Sequence, residues 1–80
     1  MTIRVLTFGI ARDITGTGTL EVQLPEGATI DTAQQYFREK YPALNRLSSL
    51  IIALNAEYAP GETVLRENDE IALIPPVSGG

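Results

Sequence analysis

Eighty residues carrying a net charge of −4, with 44% hydrophobic and 20% charged side chains, make one small domain that is too apolar for disorder. Five scattered arginines and a single lysine form no basic stripe to neutralise phosphates, which excludes nucleic acid as a partner. Without cysteine or histidine the chain lacks thiolate nucleophiles, histidine bases, disulfides and nearly all soft metal ligands, so neither a resident metal nor a bound cofactor is expected.

Residues 2–8 are rich in β-branched and aromatic side chains and read as a first strand, with Ile3 and Val5 on one face and Leu6 and Phe8 on the other. This opening run is too short and too strand-like for a signal peptide or a membrane span, which implies a cytoplasmic protein with no membrane partner. Gly9 breaks the run, and Ile10 and Ile14 recur at helical spacing before Gly16, predicting a turn or two of helix. Gly16-Thr17-Gly18 lacks the third glycine of a dinucleotide fingerprint, Glu21 standing in its place.

Residues 19–24 alternate polar and apolar as a half-buried strand does, and Pro25-Glu26-Gly27 ends them. Thr29 is a candidate N-cap and Asp31 suits the first turn of a helix. That helix should bury Ile30, Ala33, Phe37, Tyr41 and Leu44, face Gln34, Gln35, Arg38 and Glu39 to water, and be ended or tightened by Pro42. Residues 50–55 form a continuous apolar run that predicts a strand buried on both sides. Residues 63–65 read as a short strand, followed by a turn in which Asn68 tolerates positive φ. Glu67-Asn68-Asp69-Glu70 is too closely spaced for a calcium loop and reads as solvated. In a last strand over 70–74, Ile71 and Leu73 point to the helix and Ala72 and Ile74 away from it, until Pro75-Pro76 stops the ladder.

The expected class is α+β: a mixed sheet of four to five strands, one main helix across one face, and a short extra helix after the first strand. Residues 1–74 form the domain and 75–80 an extended tail. If the first and last strands are neighbours, Leu6, Phe8, Ala72 and Ile74 make an exposed apolar patch, a surface suited to a partner. No nucleophile and base pair is visible, so a self-contained active site is not expected. What remains is the ending Val77-Ser78-Gly79-Gly80. The prolines would project it as a stalk, reaching roughly 20 Å at ~3.3–3.6 Å per residue. Its glycines would thread a narrow channel and leave the carbonyl approachable.

Three segments, residues 8–16, residues 53–55 with Tyr58, and residues 68–80, together resemble the ubiquitin-like β-grasp sulfur carriers, most closely the molybdopterin synthase small subunits. Asn68 stands where that family more often has glycine. The resemblance implies a β-grasp fold and a carrier whose partners are the large synthase subunit, a ubiquitin-activating-like adenylyltransferase that uses ATP, and a sulfur donor protein. Gly80 would be adenylated and converted to a thiocarboxylate, and two successive carriers would deliver the dithiolene sulfurs to cyclic pyranopterin monophosphate. Gly79 would supply clearance, Pro75, Pro76 and Val77 the exit direction, and Ser78 a hydrogen bond in the channel. Phe8 and Ile74 would be apolar anchors and Arg12 a charged contact at the rim, unless it simply pairs with Asp13 or another surface acid. A heterotetramer with the large subunit is implied by the resemblance alone. Three alternatives stand beside this reading: a carrier for another pathway such as thiamine, a protein modifier joined through Gly80, and a plain interaction module.

Overall fold

The computed structural model describes residues 1–76, so the expectations for Val77, Ser78, Gly79 and Gly80 lie outside the described residues. The elements run β1 (Thr2–Thr7), α1 (Gly9–Thr15), β2 (Thr19–Gln23), α2 (Ile30–Lys40), a 3-10 helix (Pro42–Arg46), β3 (Ile51–Leu54), β4 (Glu57–Tyr58) and β5 (Glu70–Ile74). The sheet order is β2-β1-β5-β3-β4, with β1 and β5 parallel and the other pairs antiparallel. The expected mixed sheet with one principal helix and one short one is therefore present, at five strands.

The core forms where α2 crosses the sheet. Thr29 caps the helix by accepting from Thr32 N–H at 3.2 Å, and Asp31 lies in the first turn. Ile30, Ala33 and Phe37 make its buried stripe. Phe37, Leu44, Ile3, Val5, Ile71 and Leu73 are the largest fully buried side chains. Burying each of these apolar side chains contributes about 1.5–3 kcal/mol. The stripe does not stay in one helix as expected: α2 ends at Lys40, Tyr41 is its half-buried C-cap, and Pro42 opens the 3-10 turn that carries Leu44 inward.

Two further expectations are corrected. Residues 50–55 are buried on both sides only in part, since among the described residues no helix covers the outer face; Ile52 and the outer-face Ala53 are buried, whereas Ile51 is 45% exposed. The fourth strand is Glu57–Tyr58 rather than residues 63–65, where only an isolated bridge joins Val64 to Thr29. Leu65 enters the core there, its N–H bonded to Ala28 O at 2.8 Å, so this segment braces the loop before α2 instead of extending the sheet.

Candidate functional site

The outer face of the sheet holds the candidate site. Parallel pairing sets Leu6 against Ala72, and antiparallel pairing sets Ala72 against Ala53 and Ile74 against Ile51. Ala53 in turn opposes Tyr58. Side chains alternate across a strand, so these residues share the face that α2 does not cover. Phe8, beyond the end of β1, is 49% exposed, and Tyr58 is 76% exposed.

Two concavities flank the pair Phe8 and Ile74. One, of about 280 Å³, is lined by Leu6, Phe8, Ala53, Ala56, Tyr58, Glu70, Ala72 and Ile74. The other, of about 580 Å³, is lined by Phe8, Gly9, Ile10, Leu47, Ile74, Pro75 and Pro76, with no charged side chain among them. Phe8 and Ile74 line both, forming a ridge at the point where β5 passes into the prolines. Contiguous apolar surface of this kind on a small domain marks a protein contact.

Local backbone chemistry builds each wall. At the β3–β4 turn Asn55 (φ 48°) and Ala56 (φ 70°) both have positive φ, as a two-residue type I′ hairpin requires. Asn55 tolerates that conformation, and its amide is held on both sides: Nδ2 donates to Asp69 Oδ1 at 3.2 Å and Oδ1 accepts from Glu70 N–H at 3.0 Å. Asn68 has positive φ as expected (67°), in a turn closed by Asp69 N–H to Arg66 O at 3.0 Å. On the other side Gly9 opens α1 at φ 52°, and a Cβ there would lie 3.4 Å from Pro75 Cγ. Gly16 closes α1 in the left-handed conformation, and Thr7 Oγ1 donates to Thr17 O to pin the following loop.

The structure thus brings together Phe8, Ile74, Pro75 and Pro76. Arg12 lines neither concavity. It is exposed, lies against Gly18 (a Cβ there would be 3.5 Å from its Nε) and forms no ion pair with Asp13. Ala53, Ala56, Tyr58, Ile10 and Leu47 are wall residues that the sequence reading did not assign to the site. Asn55, the first residue of the two-residue hairpin turn, is the available signal for the first three.

The ThiS family model matches residues 5–80. The chain belongs to the ThiS family. Among ThiS-like relatives, a protein named molybdopterin synthase sulfur carrier subunit from Arabidopsis thaliana is 38% identical over 79 residues, covering 98% of this chain and 82% of that one. SAMP1 (small archaeal modifier protein 1) of Haloferax volcanii superimposes with a TM-score of 0.85 at 27% identity, covering 100% of both chains. A chain of the complex between subunits 1 and 2 of the molybdopterin-converting factor of Helicobacter pylori matches with a TM-score of 0.70 at 27% identity, again over 100% of both. These neighbours share the ubiquitin-like β-grasp fold, as the five-stranded sheet and α2 do here. Among the described residues no helix is long and apolar enough to cross a membrane.

Proposed function

We propose that this chain is the sulfur carrier of molybdopterin synthase, acting through the carboxylate of Gly80. The observation that carries the reading is the match to relatives bearing that name along nearly the whole chain. The outer apolar face supports it, since a carrier must be gripped close to where its tail leaves the body.

A terminal carboxylate is an anion at neutral pH and resists nucleophiles, so it must first be activated. A carboxylate oxygen attacks the α-phosphorus of ATP on the adenylyltransferase and pyrophosphate leaves. Hydrosulfide sulfur supplied by the donor then attacks the acyl carbon; the C–S bond forms, the C–O bond to AMP breaks, and no electrons change hands. The resulting thiocarboxylate enters the large subunit, where its sulfur forms a bond to a carbon of cyclic pyranopterin monophosphate as a C–O bond at that carbon breaks and the oxygen leaves. Water then cleaves the acyl C–S bond and returns the carboxylate. Phe8 and Ile74 anchor the body to the partner during these visits, in the cytoplasm where ATP is available.

Intact mass of the chain treated with adenylyltransferase, ATP and sulfide tests the reading. The expected product is heavier by the difference between one sulfur and one oxygen, with the change on Gly80. No mass change, or full pathway activity after deletion of Gly80, would sink it. The likeness to SAMP1 favours one second reading, a modifier joined through Gly80 to lysines of other proteins. Conjugates that form with activating enzyme and ATP in the absence of a sulfur donor would favour it.

A further inference from the structure

We infer that the smaller concavity of the outer face is a socket for an arginine side chain of the large subunit, with Glu70 selecting the cation; the inference rests on the carrier reading above. The pairing registers lay the outer face out in rows. Arg4 stands beside Glu70; the next row runs Leu6, Ala72, Ala53, Tyr58; Ile74 and Ile51 follow. The middle row dips, because its two central residues are alanines set between Leu6 and Tyr58, and this dip is the concavity of about 280 Å³. Sites that hold free ligands enclose roughly 300–1,000 Å³, so this one suits a single side chain.

The lining says which side chain. Every wall is apolar or aromatic except one carboxylate, Glu70, at the end of β5 away from the prolines. It lies two residues from Ala72, about 6.6 Å along the strand, within the span of an arginine stem laid over the alanines. An apolar occupant would cover that carboxylate without a partner, which is costly. Arginine satisfies both parts of the socket: its methylenes pack on the alanines and Leu6, while the guanidinium meets Glu70 through two N–H donors and stacks its plane on Tyr58. Lysine brings a compact charge with no plane to stack. The carboxylate is open to such a donor. Arg4 Nη2 stands 3.9 Å from Oε2, beyond hydrogen-bond length, and among the described residues no hydrogen bond reaches either oxygen. Asn55 Oδ1 fixes the backbone beneath it by accepting from Glu70 N–H.

Charge is distributed to match. Residues 57–70 hold five acidic side chains and one arginine, while the other five acids of the chain are balanced by five basic residues. The whole net charge of −4 therefore resides in the segment that carries Tyr58 and Glu70. A field of that sign draws a cationic partner surface toward the socket and speeds encounter at low salt. The larger concavity, with no charged lining, offers no such preference.

Calorimetric binding of the full chain to the large subunit tests the socket. Glu70→Gln keeps the shape and removes the charge; its affinity should fall about tenfold to a hundredfold while its melting curve stays that of the wild type. Ala72→Leu, which fills the floor, should lose as much. Added salt should weaken wild-type binding more than that of Glu70→Gln. Wild-type affinity in either variant, or equal salt dependence, overturns the socket. Glu70→Arg should bind more weakly than Glu70→Gln and recover with one Arg→Glu variant of the large subunit; recovery with none also overturns it. A second measurement needs no partner. N-acetylarginine amide should shift the amide resonances of Ala53, Tyr58, Glu70 and Ala72 in the isotope-labelled chain, Glu70→Gln should abolish those shifts, and N-acetylnorleucine amide should produce none. Absence of shifts with the arginine amide, or equal shifts with the norleucine amide, overturns the socket. If the wild-type chain does not bind the large subunit at all, the carrier reading has failed, and the arginine titration alone decides the socket.

Discussion

Asn55→Ala should destabilise the fold by about 2–3 kcal/mol. The substitution removes two side-chain hydrogen bonds, Nδ2 to Asp69 Oδ1 at 3.2 Å and Glu70 N–H to Oδ1 at 3.0 Å. The residue is exposed, so each contributes about 0.5–1 kcal/mol net of competition from water. It also places a Cβ without Asn's local compensation at φ 48°, adding about 1 kcal/mol. At roughly 0.05–0.15 kcal/mol per residue, an 80-residue domain has about 4–12 kcal/mol in total, so the loss is a large fraction of it. A destabilisation of this size lowers Tm by about 8–24 °C. Asn55→Gly is the internal control: it loses the same hydrogen bonds but accepts positive φ, so it should cost only about 1–2 kcal/mol. Urea titrations of the two variants followed by far-ultraviolet circular dichroism measure both values. If Asn55→Ala lies within about 0.5 kcal/mol of wild type, or if the glycine variant is the less stable of the two, the account of this turn is wrong.

Phe37→Ala opens a cavity in the middle of the core and should cost about 3–5 kcal/mol, enough to leave a substantial unfolded fraction in the same titration. Arg4→Gln should change stability by less than about 0.5 kcal/mol, because its ion pair with Glu70 is 3.9 Å long and the arginine side chain is 60% exposed. Phe8→Asp should leave the melting curve almost unmoved yet weaken binding to the large subunit at least tenfold by calorimetry; equal affinity would remove Phe8 from the contact surface.

The parts legible in the sequence were those where one local signal had no rival. Thr29 and Asp31 announced the start of α2, the alternation in residues 70–74 gave both faces of β5, and Asn68 announced positive φ. Glu57–Tyr58 escaped because two residues carry no periodicity, and because Ala56 holds the turn position where glycine is the usual sign. Residues 63–65 looked like a strand since Thr and Val suit one, but Leu65 is committed to the core beside Ala28 and leaves Val64 outside, 55% exposed. The apolar run of residues 50–55 misled in a similar way: hydrophobicity on both faces can mean burial on both or an uncovered contact surface, and the 45% exposure of Ile51, with no helix over the outer face among the described residues, decides for the second. Phe8 and Ile74 were foreseeable from their alternation. The second concavity was not, because it depends on Leu47 meeting α1, a contact between segments far apart in the chain.

The position of β5 has a consequence for how the protein comes into being. Among the described residues the sheet consists of two hairpin-like pairs, β2 with β1 and β4 with β3, and β5, which follows all four in the chain, joins them by pairing with both β1 and β3. Until residues 70–74 have left the ribosome, no strand pairing joins the two pairs, and each exposes a strand edge that a stray partner could occupy. Closure then requires contacts between the two extremes of the sequence, the slow kind in folding. Nascent chains that stall before β5 therefore never assemble the ridge of Phe8 and Ile74, so a truncated carrier with no terminus to load offers its partners no complete face to bind.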